Sequence, residues 1–281
     1  MPELPEVESI KSYFNRFLIG HKIVKVQVNF RKALPSGEKN LVGGKIIKTA
    51  RYGKAIAFDL DNNYSAVIHL KMTGQLIYRG PNLKGNPPLS EKVKGGIPGK
   101  HSHVIFHLDR GGKLYFNDYR KFGWIKVVKT KDIGDVDFIK KLGPEPLKDL
   151  DIKYFREVLS KSGRPIKLLL LDQSKLSGVG NIYANDALWL ARIHPERKAN
   201  SLNPKEEKDL LKAVEKVLKV SIAKKGSSDT DFVNPDGSEG SYQERLLVYD
   251  RKGKPCRRCK TPIEKIKVAG RGTYLCPSCQ K

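Results

Sequence analysis

The sequence contains little cysteine and methionine, and it has no long apolar run. Four of its 281 residues are cysteine and two are methionine. No apolar stretch approaches the roughly 20 residues that a membrane-spanning helix requires, so we expect no transmembrane segment. A charged-then-apolar leader is also absent, which predicts an intracellular protein.

Acidic residues are scarce relative to basic ones. The chain has 54 lysines and arginines against 30 aspartates and glutamates, which gives a formal net charge of +24. Solubility of a small domain requires a net charge of only about 2–8 in magnitude. The surplus therefore predicts a polyanionic partner, and nucleic acid is favoured over a membrane surface because no membrane-spanning run is present.

The hydrophobic pattern changes along the chain from strands to helices. Val7, Ile10, Phe14 and Phe17 form a helical stripe, and short alternating or apolar runs then fill residues 20–128. This order predicts a β-sandwich with a leading helix on its flank. Further helices are predicted at 151–160, 165–172, 181–191 and 204–225, the last with Asn203 as its cap.

Two segments are predicted to be loops. Residues 80–100 are rich in glycine, proline and lysine, which is typical of a mobile loop. Residues 226–241 are polar and unusually long for a connection within a compact domain.

All four cysteines lie near the C-terminus in two Cys-x2-Cys pairs. The pairs are Cys256 with Cys259 and Cys276 with Cys279, and 16 residues separate them. This spacing is typical of a zinc site, and two disulfides are the poorer interpretation for an intracellular chain. Four sulfur ligands complete a tetrahedral shell, so the metal is predicted to be structural and not catalytic.

The first eight residues, Met1-Pro2-Glu3-Leu4-Pro5-Glu6-Val7-Glu8, allow two interpretations. Prolines and carboxylates are typical of a helix start. Alternatively, removal of Met1 leaves Pro2 as a free secondary amine, and such amines are nucleophilic near neutral pH. Attack on a sugar C1′ would give an iminium ion, and Glu3 is placed to transfer protons at the same atom.

This opening resembles that of the formamidopyrimidine-DNA glycosylase family. Further motifs carry the resemblance along nearly the whole chain: Arg51-Tyr52-Gly53-Lys54, His69-Leu70-Lys71-Met72-Thr73-Gly74, Asn117-Asp118-Tyr119-Arg120-Lys121-Phe122-Gly123, Leu142-Gly143-Pro144-Glu145-Pro146-Leu147 and Leu176-Ser177-Gly178-Val179-Gly180-Asn181-Ile182-Tyr183-Ala184. One departure is Lys71, which stands where glycine is common in the family.

The resemblance implies a function and a set of site residues. It implies a repair enzyme that excises oxidised purines (8-oxoguanine and formamidopyrimidines) by attack of Pro2 on C1′ and then cleaves the strand by β,δ-elimination. The implied catalytic residues are Pro2, Glu3, Lys54 and Arg271. The implied DNA-binding residues are His101, Arg120, Lys161, Lys167 and Asn181. Met72, Arg120 and Phe122 are implied to fill the space left by an extruded base.

The predicted fold is a multidomain α+β architecture. A catalytic β-sandwich domain is expected at 1–135, a helical helix–two-turn–helix domain with the lesion-recognition loop at 136–241, and a four-cysteine zinc finger with one zinc ion at 242–281. The expected partner is damaged double-stranded DNA, bound by a monomer. Two alternatives stay open, an oxidised-pyrimidine glycosylase of the endonuclease VIII branch and a non-catalytic DNA-binding zinc protein.

Overall fold

The structure, a computed structural model, describes residues 1–81, 83 and 85–281. The chain forms two compact units. The first comprises residues 1–140 and 222–243, and the second comprises residues 141–221 and 244–281. Among the described residues, every helix is too short or too polar to cross a bilayer.

In its described residues, the first unit contains one long helix, two one-turn helices and eight strands. The helices are α1 (Leu4–Phe17), α2 (Glu38–Leu41) and α3 (Asp137–Lys140). The strands are β1 (Ile23–Val28), β2 (Ile46–Tyr52), β3 (Ala55–Leu60), β4 (Tyr64–His69), β5 (Gly74–Arg79), β6 (Ser102–Leu108), β7 (Lys113–Asp118) and β8 (Trp124–Lys129).

These strands form two four-stranded antiparallel sheets that share one core. The sheet orders are β1-β6-β7-β5 and β2-β3-β4-β8. Phe58 of β3 and Phe106 of β6 meet edge-to-face with their ring centroids 5.6 Å apart, and both are fully buried. The two sheets therefore stack face to face, which confirms the predicted β-sandwich.

Helix α1 packs on this sandwich with the stripe that the sequence predicts. Val7, Ile10 and Phe14 are completely buried and belong to the core cluster, and Phe17 is 7% exposed. Each fully buried side chain of this size stabilises the fold by about 1.5–3 kcal/mol relative to exposure. The N-terminal residues are thereby fixed to the core and do not fray.

The second unit is helical, with a C-terminal hairpin. It contains α4 (Ile152–Ser160), α5 (Ile166–Leu170), α6 (Asn181–Ala191), most of α7 (Pro204–Ala223) and the hairpin strands β9 (Glu264–Val268) and β10 (Arg271–Leu275). The Asn203 side chain accepts hydrogen bonds from the backbone N–H groups of Lys205 and Glu206, both at 3.0 Å. This geometry confirms the predicted cap.

Residues 226–241 pack with the β-sandwich unit, which differs from their predicted place in a helical domain at 136–241. The Glu6 carboxylate accepts a hydrogen bond from Ser227 N at 2.7 Å, and Ser9 Oγ donates to Asn234 Oδ1, also at 2.7 Å. These contacts join residues more than 200 positions apart in sequence. Local patterns carry no signal for such contacts.

Candidate active site and metal centre

The N-terminal segment is buried up to Pro2. Pro2 and Glu3 are both buried immediately before α1, whereas Met1 is 38% exposed. Glu6, which is 1% exposed, accepts a hydrogen bond from Glu3 N at 2.8 Å through one carboxylate oxygen and one from Ser227 N through the other. The Glu6 carboxylate therefore links the backbone next to Pro2 to the backbone of Ser227.

Gly226 fits closely against this carboxylate. Its φ of +80° lies in the left-handed region, and a Cβ at this position would lie 2.8 Å from Glu6 Oε1. Only glycine satisfies both conditions without a shift of Glu6. The contact between α1 and residues 226–228 consequently depends on the absence of a side chain at residue 226.

Lys54 lies in the tight turn between β2 and β3 and is 5% exposed. The preceding Arg51 donates through Nε to Glu8 of α1 at 2.6 Å and through Nη1 to the Gly53 carbonyl at 3.2 Å. Burial raises the pKa of Glu8, but the hydrogen bonds from Arg51 and Lys11 outweigh it and leave that pKa below its ordinary value. A lysine that is buried in a turn is not the solvated edge charge that is the usual role of a lysine at a strand end.

Met72 lies in the loop between β4 and β5 and is 43% exposed. The neighbouring Lys71 has a φ of +52°, the conformation for which glycine is favoured. Its backbone N–H donates to His69 Nδ1 at 2.9 Å. The departure at Lys71 is accommodated because this hydrogen bond fixes the turn, and the methionine is presented to solvent.

His69 is 3% exposed and packs between the rings of Trp124 and Phe138. Burial, together with the positive charges of Lys71 and Lys54, lowers its pKa to about 3. The imidazole is therefore neutral at physiological pH. This leaves Nδ1 as the acceptor that the Lys71 backbone requires.

The loop between β7 and β8, called the wedge loop below, carries Arg120 and Phe122, the other two residues predicted to fill the space left by an extruded base. Phe122 is 55% exposed, and the Arg120 guanidinium lies over its ring at 5.1 Å from the centroid. The Asp118 carboxylate, 1% exposed, accepts hydrogen bonds from Thr73 Oγ1, from Arg120 N at 3.2 Å and from Gly123 N at 2.7 Å. Asp118 thus joins the Met72 loop to the wedge loop.

His101 borders the same loop. Its carbonyl accepts a hydrogen bond from Asp118 N at 3.0 Å, and its ring lies 6.3 Å from that of Tyr119. Burial and nearby positive charges, Lys100 first, lower its pKa. The neighbouring His103 is buried and bonds the Asp118 carbonyl through Nε2 at 2.6 Å.

In the second unit, the predicted DNA-binding residues differ in exposure. Asn181 begins α6 and donates to the Gly272 carbonyl at 3.2 Å, and Arg271 is exposed at the start of β10. Lys161 is exposed and pairs with Glu157 at 2.6 Å.

Lys167 is completely buried, and the structure does not present it to a phosphate at the surface. Its Nζ donates to Thr273 Oγ1 at 2.6 Å and to the Gly272 carbonyl at 3.1 Å. The sequence could not show whether Lys167 is buried or lies at the surface, because the contacts that bury this lysine come from residues about a hundred positions later. In this structure Lys167 supports the hairpin that carries Arg271.

The four cysteines form a metal centre in the second unit. All four Sγ atoms lie within 4.8 Å of one another; Cys256 and Cys279 are 3.9 Å apart, and Cys259 and Cys276 are 3.4 Å apart. A tetrahedral zinc with Zn–S bonds of about 2.3 Å requires sulfur separations of about 3.8 Å. The residues therefore fit one structural zinc ion.

Groups around the cysteines support this role. The indole N–H of Trp189 on α6 donates to Cys256 Sγ at 3.3 Å, and the Arg258 guanidinium lies over that indole at 4.3 Å. Such contacts stabilise a thiolate and orient it. The metal centre is thereby tied to the helix that begins with Asn181.

Two residues of this arrangement, Glu6 and Asp118, received no role from the sequence. The spacing Glu3-x2-Glu6 at a helix start is a signal for a carboxylate that bonds back to the backbone. Asp118 directly precedes a turn, where aspartate commonly accepts backbone N–H groups. Neither signal identifies the distant partner, which is Ser227 for Glu6 and Thr73 for Asp118.

Comparison with known families gives three matches that together cover most of the chain. Residues 1–125 match the formamidopyrimidine-DNA glycosylase N-terminal domain, and residues 142–232 match the formamidopyrimidine-DNA glycosylase H2TH domain. Residues 253–281 match a zinc finger found in FPG and IleRS.

Individual proteins are similar over the full length. The chain is 42% identical over 287 residues to a formamidopyrimidine-DNA glycosylase of Pelotomaculum thermopropionicum, with 100% of this chain and 99% of the relative covered. A Lactococcus lactis Fpg variant in complex with Fapy-dG-containing DNA superposes with a TM-score of 0.88 at 35% identity and covers 100% of both chains. A complex of Lactococcus lactis Fpg with abasic-site DNA has a TM-score of 0.87 at 35% identity and covers 99% of each chain.

Proposed function

Because the chain belongs to the formamidopyrimidine-DNA glycosylase family, we propose that Pro2 is the nucleophile with which it excises oxidised purines from duplex DNA. The chain is a DNA repair enzyme with DNA glycosylase and AP lyase activities. The observation that carries the assignment to Pro2 is the burial of Pro2 and Glu3 at a helix start fixed by Glu6. A frayed terminus would not hold an amine in one place.

The reaction begins with the amine of Pro2, which removal of Met1 makes a free secondary amine. Its lone pair attacks C1′ of the damaged nucleotide as the bond from C1′ to the base breaks. The proton that the Pro2 nitrogen loses to water balances the proton that the departing base takes up. Opening of the sugar ring gives an iminium ion between Pro2 and C1′. The iminium carries positive charge without further protonation and withdraws electrons from C2′.

Glu3 is the general acid of this reaction. Its carboxyl group donates a proton to the sugar ring oxygen as the ring opens, a transfer that general acids typically accelerate by about 10²–10⁴-fold. Loss of a proton from C2′ then expels the 3′ phosphate, and a second elimination expels the 5′ phosphate. Water then hydrolyses the iminium, which releases the sugar fragment and restores the Pro2 amine, and a one-nucleotide gap remains.

Lys54 supports these steps by charge. Lys54 is buried in a turn next to Arg51, which pairs with Glu8 of α1. A cation in such a low-dielectric position attracts a phosphate oxygen more strongly than a solvated lysine does. We assign to Lys54 a contact with DNA phosphate and assistance to elimination.

Met72, Arg120 and Phe122 replace the extruded nucleotide in the duplex. Met72 and Phe122 are large apolar side chains that are exposed, and Asp118 connects the loops that carry them. Side chains of this kind enter the base stack when a nucleotide leaves it, and the arginine binds the base that has lost its partner. His101 borders the wedge loop and contacts the DNA backbone.

The residues of the second unit bind DNA phosphate. Asn181 lies at the start of α6, the end of a helix at which the dipole favours anions, and Arg271 lies at the exposed start of β10. Arg271 also takes part in the final elimination, and Lys161 is a further phosphate contact. The zinc ion held by the four cysteines supplies a structural cross-link that orients the hairpin carrying Arg271.

We also propose a domain organisation, an oligomeric state and a cellular location for the chain. By function, residues 1–135 form the catalytic domain, residues 136–241 the helical DNA-binding domain with a lesion-recognition loop at 226–241 that packs with the β-sandwich unit, and residues 242–281 the zinc finger. The chain acts as a monomer on chromosomal DNA inside the cell. The net charge of +24 supports the DNA partner, since each neutralised phosphate releases a counterion.

A base-release assay on defined duplexes tests the substrate assignment. The chain, freed of Met1, is incubated with duplexes containing 8-oxoguanine, a formamidopyrimidine, an oxidised pyrimidine or no lesion. Faster release of the two oxidised purines supports the proposal. Preferential release of the oxidised pyrimidine would favour the endonuclease VIII alternative, and binding without release would favour a non-catalytic protein.

A further inference from the structure

Residues 87–94, within the glycine- and proline-rich loop predicted from the sequence to be mobile, pack along the polar segment 226–241. Asn82 and Lys84 of that loop lie outside the described residues. The two segments are joined by backbone and side-chain hydrogen bonds, among them one from Ser90 N to the Gly237 carbonyl at 3.0 Å. The predicted loop is therefore a packed element over this part of its length.

Lys92 binds both ends of the polar segment. Its Nζ donates to the Ser228 carbonyl and to Glu239 Oε2, the latter at 2.5 Å. The other Glu239 oxygen accepts a hydrogen bond from Ser90 Oγ at 2.6 Å. Ser228 and Glu239 lie eleven positions apart in sequence, so the ammonium group bridges the two ends of a loop that the hydrogen bond from Gly240 N to Ser228 Oγ at 2.9 Å also closes.

Gln75 of β5 fixes the same pair of segments from the sheet. Its Nε2 donates to the Lys92 carbonyl at 2.9 Å and to the Asp231 carbonyl at 2.7 Å. Ile77, on the same strand, packs with Val93 and Val233 in a small apolar cluster. The backbone of Lys92 is thus held against the strand, which places its side chain next to the segment 226–241.

The charges of the two segments complement each other. Lys94 pairs with Asp231 at 3.5 Å, in addition to the Lys92–Glu239 pair. Burial raises the pKa of Glu239, but the hydrogen bonds from Lys92 and Ser90 outweigh it and lower that pKa overall. In the proposed function this segment faces DNA, where carboxylates repel phosphate, so their pairing with Lys92 and Lys94 removes an obstacle to DNA binding.

We propose that Lys92 is a positioning residue that holds the segment 226–241 in its ordered arrangement and thereby supports selection of the damaged base. This inference rests on the proposed function, in which that segment belongs to lesion recognition. This role of Lys92 affects two reactions of the same enzyme differently. Excision requires recognition of a base, whereas cleavage of a preformed abasic site does not, so loss of Lys92 slows the first reaction and spares the second.

The central test compares Lys92→Met with Lys113→Met, which removes the same charge from an exposed position on β7. Hydrogen–deuterium exchange of the peptide covering residues 228–239 is measured in the free, full-length protein. We expect exchange at least about tenfold faster in Lys92→Met, which removes both hydrogen bonds of the ammonium group, to the Ser228 carbonyl and to Glu239. Lys113→Met should exchange like the wild type, and unchanged exchange in Lys92→Met would overturn the proposal.

Activity measurements separate positioning from a general loss of structure. Excision of 8-oxoguanine by Lys92→Met should fall by about tenfold, while cleavage of abasic-site DNA stays within about twofold of wild type. The exchanged pair Lys92→Glu with Glu239→Lys should recover slow exchange and excision relative to Lys92→Glu alone. Equal losses of both activities in Lys92→Met would overturn the role in base selection.

The exchange measurement needs no substrate. If the wild type failed to release any oxidised purine, the proposed function would be wrong. The exchange rates of the Lys92 variants would still decide whether this lysine orders the segment 226–241. The two failures are therefore distinguishable.

Discussion

Asp118 accepts a hydrogen bond from Thr73 Oγ1, and this contact joins the loop that carries Met72 to the loop that carries Arg120 and Phe122. The same carboxylate accepts the backbone N–H groups of Arg120 and Gly123. A buried carboxylate with three donors is well compensated for its burial. The geometry of both loops therefore depends on one side chain that itself is not exposed to DNA.

We predict that Asp118→Ala destabilises the protein and slows excision. The change leaves the backbone N–H groups of Arg120 and Gly123 without this acceptor, which should lower the free energy of unfolding by about 2–4 kcal/mol. Thr73→Val is the matched control, since it removes one donor and leaves both amides paired, and should cost about 1 kcal/mol. Urea unfolding measures both, and equal losses would contradict the account.

The wedge residues should matter for excision more than for binding. Arg120→Ala combined with Phe122→Ala should slow excision of 8-oxoguanine by roughly tenfold or more, because these side chains act only after a base leaves the stack. Affinity for undamaged DNA should change little. Val24→Ala is a suitable control, since Val24 is 51% exposed and Phe122 is 55% exposed. Excision that is unaffected in the double variant would refute the wedge assignment.

The zinc centre should be required for DNA affinity. Cys256→Ser removes one of four ligands and should release the metal, and the β9–β10 hairpin should then lose the order that presents Arg271. Ser278→Ala, at an exposed position between two of the cysteines, should retain one zinc per chain. Metal analysis and DNA titration of both variants provide the measurement. A metal-free Cys256→Ser protein with wild-type affinity would be incompatible with this role.

His69 should make stability depend on pH. Its pKa of about 3 in the folded protein lies below the ordinary value of 6.5, so the unfolded chain binds the proton first as pH falls. Stability should therefore decrease from about pH 6.5 towards pH 3, with a slope of up to about 1.4 kcal/mol per pH unit from this group. His69→Asn keeps an acceptor for Lys71 N and should flatten the slope. Denaturant unfolding at several pH values tests this, and identical slopes would contradict it.

The parts of the fold with local signals follow from the sequence. The stripe Val7, Ile10 and Phe14 predicts α1, Asn203 predicts the start of α7, and the spacing of the cysteines predicts the zinc centre. In each case the decisive residues are neighbours in sequence and obey a period or a spacing.

Contacts between distant residues could not be predicted in this way. The hydrogen bond from Ser227 N to Glu6 is one of the contacts by which residues 226–241 pack with the first unit. Thr273 and Gly272 accept hydrogen bonds from the buried Lys167. The loop at 80–100 has the composition of a mobile segment, yet Gln75 and Lys92 give part of it fixed partners. Composition describes what a segment does alone, whereas these positions are decided by residues far away in sequence.

The identity of the nucleophile is the central claim, and borohydride trapping tests it most directly. The chain, freed of Met1, is mixed with duplex DNA containing 8-oxoguanine in the presence of borohydride, which reduces an iminium ion to a stable amine. Mass spectrometry of the digested complex then locates the modified residue. The account predicts a DNA adduct on the amine of Pro2 and none when Met1 is retained, since an amide nitrogen cannot form an iminium. An adduct on an internal lysine such as Lys54, with Pro2 unmodified, would contradict it.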